Sequence, residues 1–341
     1  MACVALCEQN GTISSEFMDA ATLSTFSSPV ILFFVLGLLA AAARSDLAIP
    51  EPIAKAMSLY LMIAIGLKGG VAVAKSGIDG QVAAALVLGV AASALLPILA
   101  NVALRTFGKL DRINAGAVAA HYGSVSVVTF VTANEILGLR QMPPAGYMVA
   151  VLAVMETPAI LTGLMLARRG QPTTGVERRT SELVREVFLN ASVVLLLGSF
   201  AIGAIAGPKG YAEVEPLFVS GFKGVLCLFL LDMGLIAARR LIDSGALNLR
   251  LAALAILFPL VNGALGLLGG VVIGLDAGSL AAFAVLCASA SYIAVPAAMR
   301  MALPQADPGI YLSMSLSITF PFNILINIGL MAAAARMLTG G

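Results

Sequence analysis

Long apolar stretches alternate with short polar ones along the chain from about residue 28 onward. A helix needs about 20 mainly apolar residues to cross the hydrocarbon core of a membrane. On this criterion the pattern predicts ten spans, at 28–44, 52–72, 82–106, 112–138, 146–168, 184–205, 213–240, 249–273, 278–302 and 309–337. The longest internal polar stretch, 168–182, separates the first five spans from the last five.

This division predicts four parts. They are an N-terminal tail (1–26), a first five-helix unit (27–168), a central loop (169–182) and a second five-helix unit (183–338).

Composition supports a membrane protein. Of the 341 residues, 60% are hydrophobic and only 11% are charged, whereas soluble domains carry about 25% charged residues. The net charge of +2 gives no nucleic-acid signal. Cys227 and Cys287 lie in apolar stretches, and Cys3 and Cys7 in the polar tail form either a disulfide or two free thiols. We expect no cofactor.

The distribution of Lys and Arg predicts the orientation. With ten spans, both termini lie on one side of the membrane. That side carries six of the twenty basic residues, which are Lys68, Lys75, Arg140, Lys209, Lys223 and Arg336. Because cytoplasmic loops are enriched in Lys and Arg, both termini are expected to be extracytoplasmic and the central loop cytoplasmic.

The two halves of the chain resemble each other weakly. LLPILAN (95–101) resembles LFPLVNG (257–263), and YMVAVLAVMETPAI (147–160) resembles YLSMSLSITFPFNI (311–324). Because each half has an odd number of spans, the second must enter the membrane from the opposite face. We therefore predict an all-α membrane protein of two inverted five-helix repeats, a plan typical of secondary transporters.

Spans four and nine contain matching polar interruptions. HYGSVS (121–126) in span four lies opposite CASASY (287–292) in span nine. We expect both helices to be discontinuous, at about 122–126 and 288–292, since irregular backbone at membrane depth occurs where it lines a cavity. Helix N-termini restarting there would favour an anion. The alternative is that these small residues serve close helix packing.

Several long stretches resemble the sodium-dependent bicarbonate transporter family of the cyanobacterial type. They are IPEPIAKAMSLYLMIAIGLKGGVAV (49–73), GKLDRINAGAVAAHYGSVSVVTF (108–130), VMETPAI (154–160), SASYIAVPAAMRMALPQADPGIYL (289–312) and ITFPFN (318–323). The resemblance implies sodium-coupled bicarbonate import, with a core moving against a scaffold. It also implies a homotrimer in the bacterial inner membrane and a PII-like regulatory protein on the cytoplasmic face. The central loop is short for binding a PII-like protein.

On this reading the two interruptions bind bicarbonate and nearby oxygen atoms bind sodium, the coupling ion. The predicted bicarbonate-binding residues are Gly123, Ser124, Val125, Ser126, Ser289, Ala290, Ser291 and Tyr292. The predicted sodium-binding residues are Thr129, Glu156, Thr157, Thr319 and Asn323, since sodium prefers hard oxygen ligands. Lys68 and Asp232, at nearly equivalent repeat positions, are predicted to form a structural ion pair.

Three other classes of protein compete with this interpretation. An exchanger or a symporter for another small anion shares the inverted-repeat plan and remains the alternative. An intramembrane enzyme would need a nucleophile with a base, or a metal cluster, and one histidine with scattered cysteines argues against it. A receptor without transport activity would have no use for repeats that serve alternating access.

Overall fold

The computed structural model describes residues 27–77, 79–169, 191–243 and 248–340. Helices make up most of these residues, and no strand occurs among them. The predicted tail, with Cys3 and Cys7, lies outside the described residues, as does nearly all of the central loop.

Thirteen helical segments are used below to locate the site. They are α1 (Pro29–Ala42), α2 (Glu51–Ser76), α3 (Gly80–Thr106), α4 (Arg112–Gly123), α5 (Val127–Leu139), α6 (Met148–Met155), α7 (Pro158–Arg168), α8 (Ala191–Glu215), α9 (Phe222–Asp243), α10 (Leu249–Val272), α11 (Ala277–Ala288), α12 (Ala294–Ala302) and α13 (Pro308–Thr339). Two stretches of α13, Ser313–Thr319 and Asn323–Asn327, are π-helical.

Six segments of the described chain are long and apolar enough to cross a membrane. They are Glu51–Lys75, Gly80–Thr106, Arg112–Leu139, Met148–Arg168, Leu249–Val272 and Pro308–Thr339. They coincide with predicted spans two to five, eight and ten, and the chain is an integral membrane protein. Pro29–Ala42 and Ala277–Ala288 are shorter apolar helices. The total of ten spans stays a prediction.

The predicted end of span six, at 205, lies next to a kink in α8 at Gly207. The predicted start of span seven, at 213, differs from the structure, in which α9 begins at Phe222. Gly207 has a φ of 61° and bends α8, and Pro208 suits the first turn of the helix that resumes there. The apolar residues after this bend are largely exposed, so their hydropathy resembled the start of a span.

The helices form two packing groups. In the first, here called the scaffold group, α1 packs on α9 and α2 packs on α8. Glycines allow these close crossings: a Cβ on Gly37 would lie 2.2 Å from the Leu231 carbonyl oxygen, and one on Gly70 would lie 1.9 Å from the Phe200 carbonyl oxygen. Small residues are the usual means of close helix packing in membranes.

The second group, here called the core group, contains α3 to α7 and α10 to α13. Within it α3, α4 and α7 pack together, as do α10, α11 and α13, and α3 also contacts α10. Helices α4 and α11 begin in the same way. Asp111 accepts hydrogen bonds from the Ile113 and Asn114 N–H groups, and Asp276 accepts them from Gly278 and Ser279. These N-caps define where the two interrupted helices start.

Candidate functional site

The helix is interrupted at both places that the sequence indicated. Helix α4 ends at Gly123, the backbone is extended at Ser124 (φ −84°, ψ 155°), and α5 begins at Val127. Helix α11 ends at Ala288, the backbone is extended at Ser289 (φ −77°, ψ 162°), and α12 begins at Ala294. The two interruptions thus leave a pair of helix C-termini and a pair of helix N-termini inside the core group.

The two interruptions contact each other through backbone hydrogen bonds. The Ser126 N–H donates to Ser289 Oγ (3.0 Å), and the Ser291 N–H donates to the His121 carbonyl oxygen (2.9 Å). These two N–H groups therefore connect the two halves of the core. At the start of α5 the Thr129 N–H donates to Ser126 Oγ, which leaves the Val127 and Val128 N–H groups as first-turn donors.

His121 is fully buried beside this contact. Its Nδ1 lies 2.8 Å from the Ala117 carbonyl oxygen, and its ring stacks on Tyr311 with 4.6 Å between ring centroids. Such packing is typical of a structural histidine.

A small cavity lies where the scaffold group meets the interruptions. It is lined by Ser58, Met62, Val125, Ser126, Val127, Glu156, Ser291, Tyr292, Ile293 and Ala294. It has room for about one water molecule. The cavity brings together four predicted bicarbonate-binding residues (Val125, Ser126, Ser291 and Tyr292) and one predicted sodium ligand, Glu156.

Glu156 occupies the two-residue turn between α6 and α7. It is 3% exposed, and its Oε2 has no hydrogen-bond partner among the described residues. A buried carboxylate oxygen without a donor is costly unless a cation or proton satisfies it. Glu156 is therefore the strongest candidate for a cation ligand in this part of the chain.

Two serines hold the turn that carries Glu156. Ser124 Oγ donates to the Glu156 carbonyl oxygen (3.0 Å). Ser93 Oγ, on α3, donates to the Met155 carbonyl oxygen (2.6 Å) and accepts from the Ala159 N–H (3.2 Å). The Ser124 hydroxyl is thus directed at the backbone of the turn.

Gly123 has a different role from the one the sequence suggested. The sequence placed it among the bicarbonate-binding residues; in the structure Gly123 is the last residue of α4 and has no positive φ, so the break does not depend on the conformational freedom of a glycine. A Cβ there would lie 2.2 Å from Pro97 Cγ and 2.9 Å from the Ser93 carbonyl oxygen. The glycine is needed because α4 approaches the proline of α3 so closely.

Ser289 also serves the architecture of the interruption. Its hydroxyl accepts from the Ser126 N–H and donates to the Leu286 carbonyl oxygen (2.8 Å). Neither Gly123, Ser124, Ser289 nor Ala290 lines the cavity.

The remaining predicted sodium ligands are spread through the core group. Thr319 Oγ1 donates to the Ala255 carbonyl oxygen (2.6 Å) and shares a hydrogen bond with the Tyr122 hydroxyl (2.7 Å). Asn323 Nδ2 donates to the Ala288 carbonyl oxygen (3.0 Å), and its Oδ1 accepts from Asn327 Nδ2 (2.8 Å).

The oxygens of Thr319 and Asn323 therefore already make hydrogen bonds within the core group. Thr129 Oγ1 is buried and has no partner among the described residues, and Thr157 follows Glu156 in the turn. None of these four residues lines the cavity beside Glu156.

The predicted ion pair between Lys68 and Asp232 is not formed. Lys68 is exposed, Asp232 is buried, and Asp232 Oδ2 has no hydrogen-bond partner in the described ranges. The salt bridge found among those residues joins Lys223 on α9 to Glu135 on α5 at 3.3 Å. The weak repeat aligned the two residues along the chain, but equivalent repeat positions need not be in contact.

Two residues of the site were missed by the sequence analysis. Ser93 lies four residues before Pro97, so its carbonyl group lacks the usual helical hydrogen bond. A hydroxyl residue at that spacing from a proline could have marked Ser93 as a candidate. Ser58 lines the cavity from α2 in the scaffold group, and no feature of the sequence around it distinguishes it from other polar residues in the spans.

Comparison with protein families gives one match. The model of the Na+-dependent bicarbonate transporter superfamily covers residues 29–336. A search of curated proteins finds no significant match. Because the family model covers nearly the whole chain, the chain belongs to the Na+-dependent bicarbonate transporter superfamily, a family of transporters rather than enzymes.

Proposed function

We propose that this chain imports bicarbonate together with sodium, by alternating access between the core group and the scaffold group. The observation that carries the proposal is the cavity between these groups. It combines two helix N-termini with Glu156, whose Oε2 has no hydrogen-bond partner in the described part of the chain. An anion donor set and a cation acceptor thus lie side by side.

The anion part of the site uses backbone dipoles and hydroxyls. The N-termini of α5 and α12 provide positive dipole ends and first-turn N–H groups. Ser126, Ser291 and Tyr292 add hydroxyls at the cavity wall. Such a set suits a small, singly charged oxyanion with its own O–H donor, and it needs no Lys or Arg.

The cation part of the site is centred on Glu156. A sodium ion at its carboxylate would supply the partner that Oε2 lacks, and would reduce the cost of bringing an anion into a site of low dielectric. The coupling must be reciprocal, so that each ion tightens the binding of the other by the same factor. Thr129 and Thr157 are the next candidates for sodium, followed by Thr319 and Asn323, whose oxygens already make hydrogen bonds.

The wider architecture of the proposal follows the predicted inverted repeats. The matching aspartate caps of α4 and α11 and the matching extended serines after them support this symmetry. We infer ten spans, extracytoplasmic termini, a homotrimer in the bacterial inner membrane, and a cytoplasmic face that could meet a PII-like protein.

Ion dependence in proteoliposomes tests the proposal. With labelled bicarbonate outside, an inward sodium gradient should drive uptake and an equal potassium gradient should not. Glu156→Gln should raise the sodium concentration for half-maximal uptake, whereas Glu215→Gln, at the exposed end of α8, should leave it unchanged. Equal uptake in sodium and potassium would overturn the mechanism. Full competition by formate or nitrate would instead favour the alternative, a sodium-coupled carrier of another small anion.

A further inference from the structure

The hydroxyl of Ser93 is inserted into the hydrogen-bond ladder between α6 and α7. Met155 and Ala159 are four residues apart, so in a regular helix the Ala159 N–H would bond to the Met155 carbonyl oxygen. Here Ser93 Oγ binds both groups, donating to the first over 2.6 Å and accepting from the second over 3.2 Å. A side chain inserted into the ladder in this way opens and bends a helix.

The opening falls directly at Glu156. Glu156 and Thr157 keep helical φ and ψ angles, but the regular hydrogen bonding is interrupted at them, between Met155 and Pro158. Ser93 fixes the carbonyl on one side of Glu156, and Ser124 fixes the carbonyl of Glu156 itself. With these two carbonyls held by Ser93 of α3 and by Ser124 of the interruption, the backbone of Glu156 has little freedom where this residue lines the cavity.

Ser93 cannot contact a transported ion itself. It is fully buried and does not line the cavity, and both hydrogen-bonding functions of its hydroxyl are used by α6 and α7. Its only route to the site is therefore through the turn that it holds open.

We propose that Ser93 is a positioning residue that sets the sodium affinity of the transporter by holding the Glu156 carboxylate at the cavity. The inference rests on the proposed function, since it takes Glu156 as the cation ligand. Loss of the hydroxyl lets the ladder close or leaves its two groups unpaired, and either change moves the carboxylate.

The test is a double-mutant cycle on sodium-dependent uptake. In proteoliposomes, Ser93→Ala should raise the sodium concentration for half-maximal uptake by at least about 5-fold, the expected effect of losing one buried hydrogen bond. The apparent affinity for bicarbonate, measured at saturating sodium, should change by less than about 2-fold. Ser315→Ala is the matched control, because Ser315 is equally buried but donates only to the Tyr311 carbonyl oxygen of its own helix.

The cycle separates positioning from general stability. If Ser93 acts through Glu156, Ser93→Ala should have little further effect on sodium dependence in a Glu156→Gln background. A second readout is the rise in Tm of the purified protein on adding sodium chloride rather than potassium chloride, which Ser93→Ala should diminish and Ser93→Thr should restore.

Three outcomes would count against parts of the argument. Unchanged sodium dependence of Ser93→Ala, with Glu156→Gln altered as expected, overturns the inference alone. Additive effects of the two substitutions also overturn it. Uptake by the unaltered protein that is independent of sodium overturns the proposed function itself.

Discussion

In the first half of the chain a side chain of α3 reaches the helix pair α6–α7, whereas in the second half a side chain of α13 reaches α10. Ser93 donates to the Met155 carbonyl oxygen, and Thr319 donates to the Ala255 carbonyl oxygen, both over 2.6 Å. In the predicted repeat α3 corresponds to α10, and the pair α6–α7 corresponds to α13. The two hydrogen bonds therefore join equivalent helices, but the donor lies on α3 in the first half and on α13 in the second.

Each of the long helices α3 and α10 contains a proline, which leaves one backbone carbonyl group without its helical hydrogen bond. Pro97 and Pro259 have no N–H, so they leave the carbonyl groups of Ser93 and Ala255 without their usual helical partners. In the second half Thr319 satisfies the freed carbonyl directly. In the first half the approach of Gly123 keeps α4 against the freed carbonyl, and the Ser93 side chain is available to bind elsewhere.

The two halves also differ in charge, and this difference suggests a division of labour. Glu156 lines the cavity and its Oε2 has no hydrogen-bond partner among the described residues, whereas the matching positions of the second half, Thr319 or Phe320, are neutral. The Thr319 hydroxyl is also hydrogen-bonded. Asn323 is likewise used to hold the end of α11 through Ala288. We infer that the first half binds the coupling cation and that the corresponding part of the second half maintains the structure.

The largest expected effect comes from filling the space between α4 and α3. Gly123→Val should abolish bicarbonate uptake, because even a Cβ would lie 2.2 Å from Pro97, and α4 would have to move away from the interruption. Labelled bicarbonate uptake in proteoliposomes measures this, with the amount of protein in the membrane determined in parallel.

Gly138→Val is the control, since a Cβ on Gly138 meets no atom within 4 Å. Normal transport by Gly123→Val would mean that the spacing of α4 and α3 does not matter to the site, and that the two interruptions are equivalent packing motifs.

The next largest effect should distinguish a substitution at Glu156, in the first half, from one at Thr319, in the second half. Thr319→Val leaves the Ala255 carbonyl and the Tyr122 hydroxyl without a partner, so we expect a loss of stability of about 1–3 kcal/mol. Its sodium dependence should remain that of the unaltered protein. Glu156→Gln should do the reverse, raising the sodium requirement with little loss of stability. Thermal unfolding and sodium titrations of uptake measure the two properties, and a changed sodium requirement in Thr319→Val would contradict the division.

A smaller and more selective effect is expected for the serines of the interruptions. Ser291→Ala should weaken the apparent bicarbonate affinity by roughly 5- to 150-fold, because Ser291 lines the cavity and loses a buried hydrogen bond. Ser124→Ala should act mainly on sodium dependence, since its hydroxyl binds the Glu156 carbonyl oxygen. Titrating each ion at saturating concentrations of the other distinguishes the two variants, and identical profiles would show that both hydroxyls serve the same ligand.

The sequence was sufficient to locate most of this architecture. Hydropathy identifies the membrane helices because only a helix can satisfy its own backbone in lipid, and the small polar clusters at 121–126 and 287–292 mark both interruptions. Even the charged residue at the cavity, Glu156, stands out in an apolar span.

The partners of individual side chains could not be predicted in the same way. Ser124 and Ser126 are two residues apart, yet one hydroxyl binds the backbone of a neighbouring helix and the other caps its own. Which of these occurs depends on the distance to α7 and α3, and no local pattern encodes that distance. For the same reason a weak repeat suggested a pair between Lys68 and Asp232, although Lys68 is exposed and Asp232 is buried.

The smallest expected effect concerns the salt bridge between the two packing groups. Lys223 on α9 and Glu135 on α5 are 3.3 Å apart, with side chains that are 46% and 24% exposed. An exposed pair contributes about 0.2–1 kcal/mol and is screened by salt. Because α9 belongs to the scaffold group and α5 to the core group, movement of one group against the other must break the pair. We therefore expect Lys223→Gln to change the maximal uptake rate by no more than about 5-fold, the kinetic equivalent of 1 kcal/mol.

The difference from the unaltered protein should shrink when choline chloride is raised on both sides of the membrane. Glu135→Gln should have the same effect, and the double variant should be no further altered, because each substitution already removes the whole interaction. A much larger effect, or one that resists salt, would mean that this ion pair controls the movement, and that the first half carries a second functional carboxylate besides Glu156.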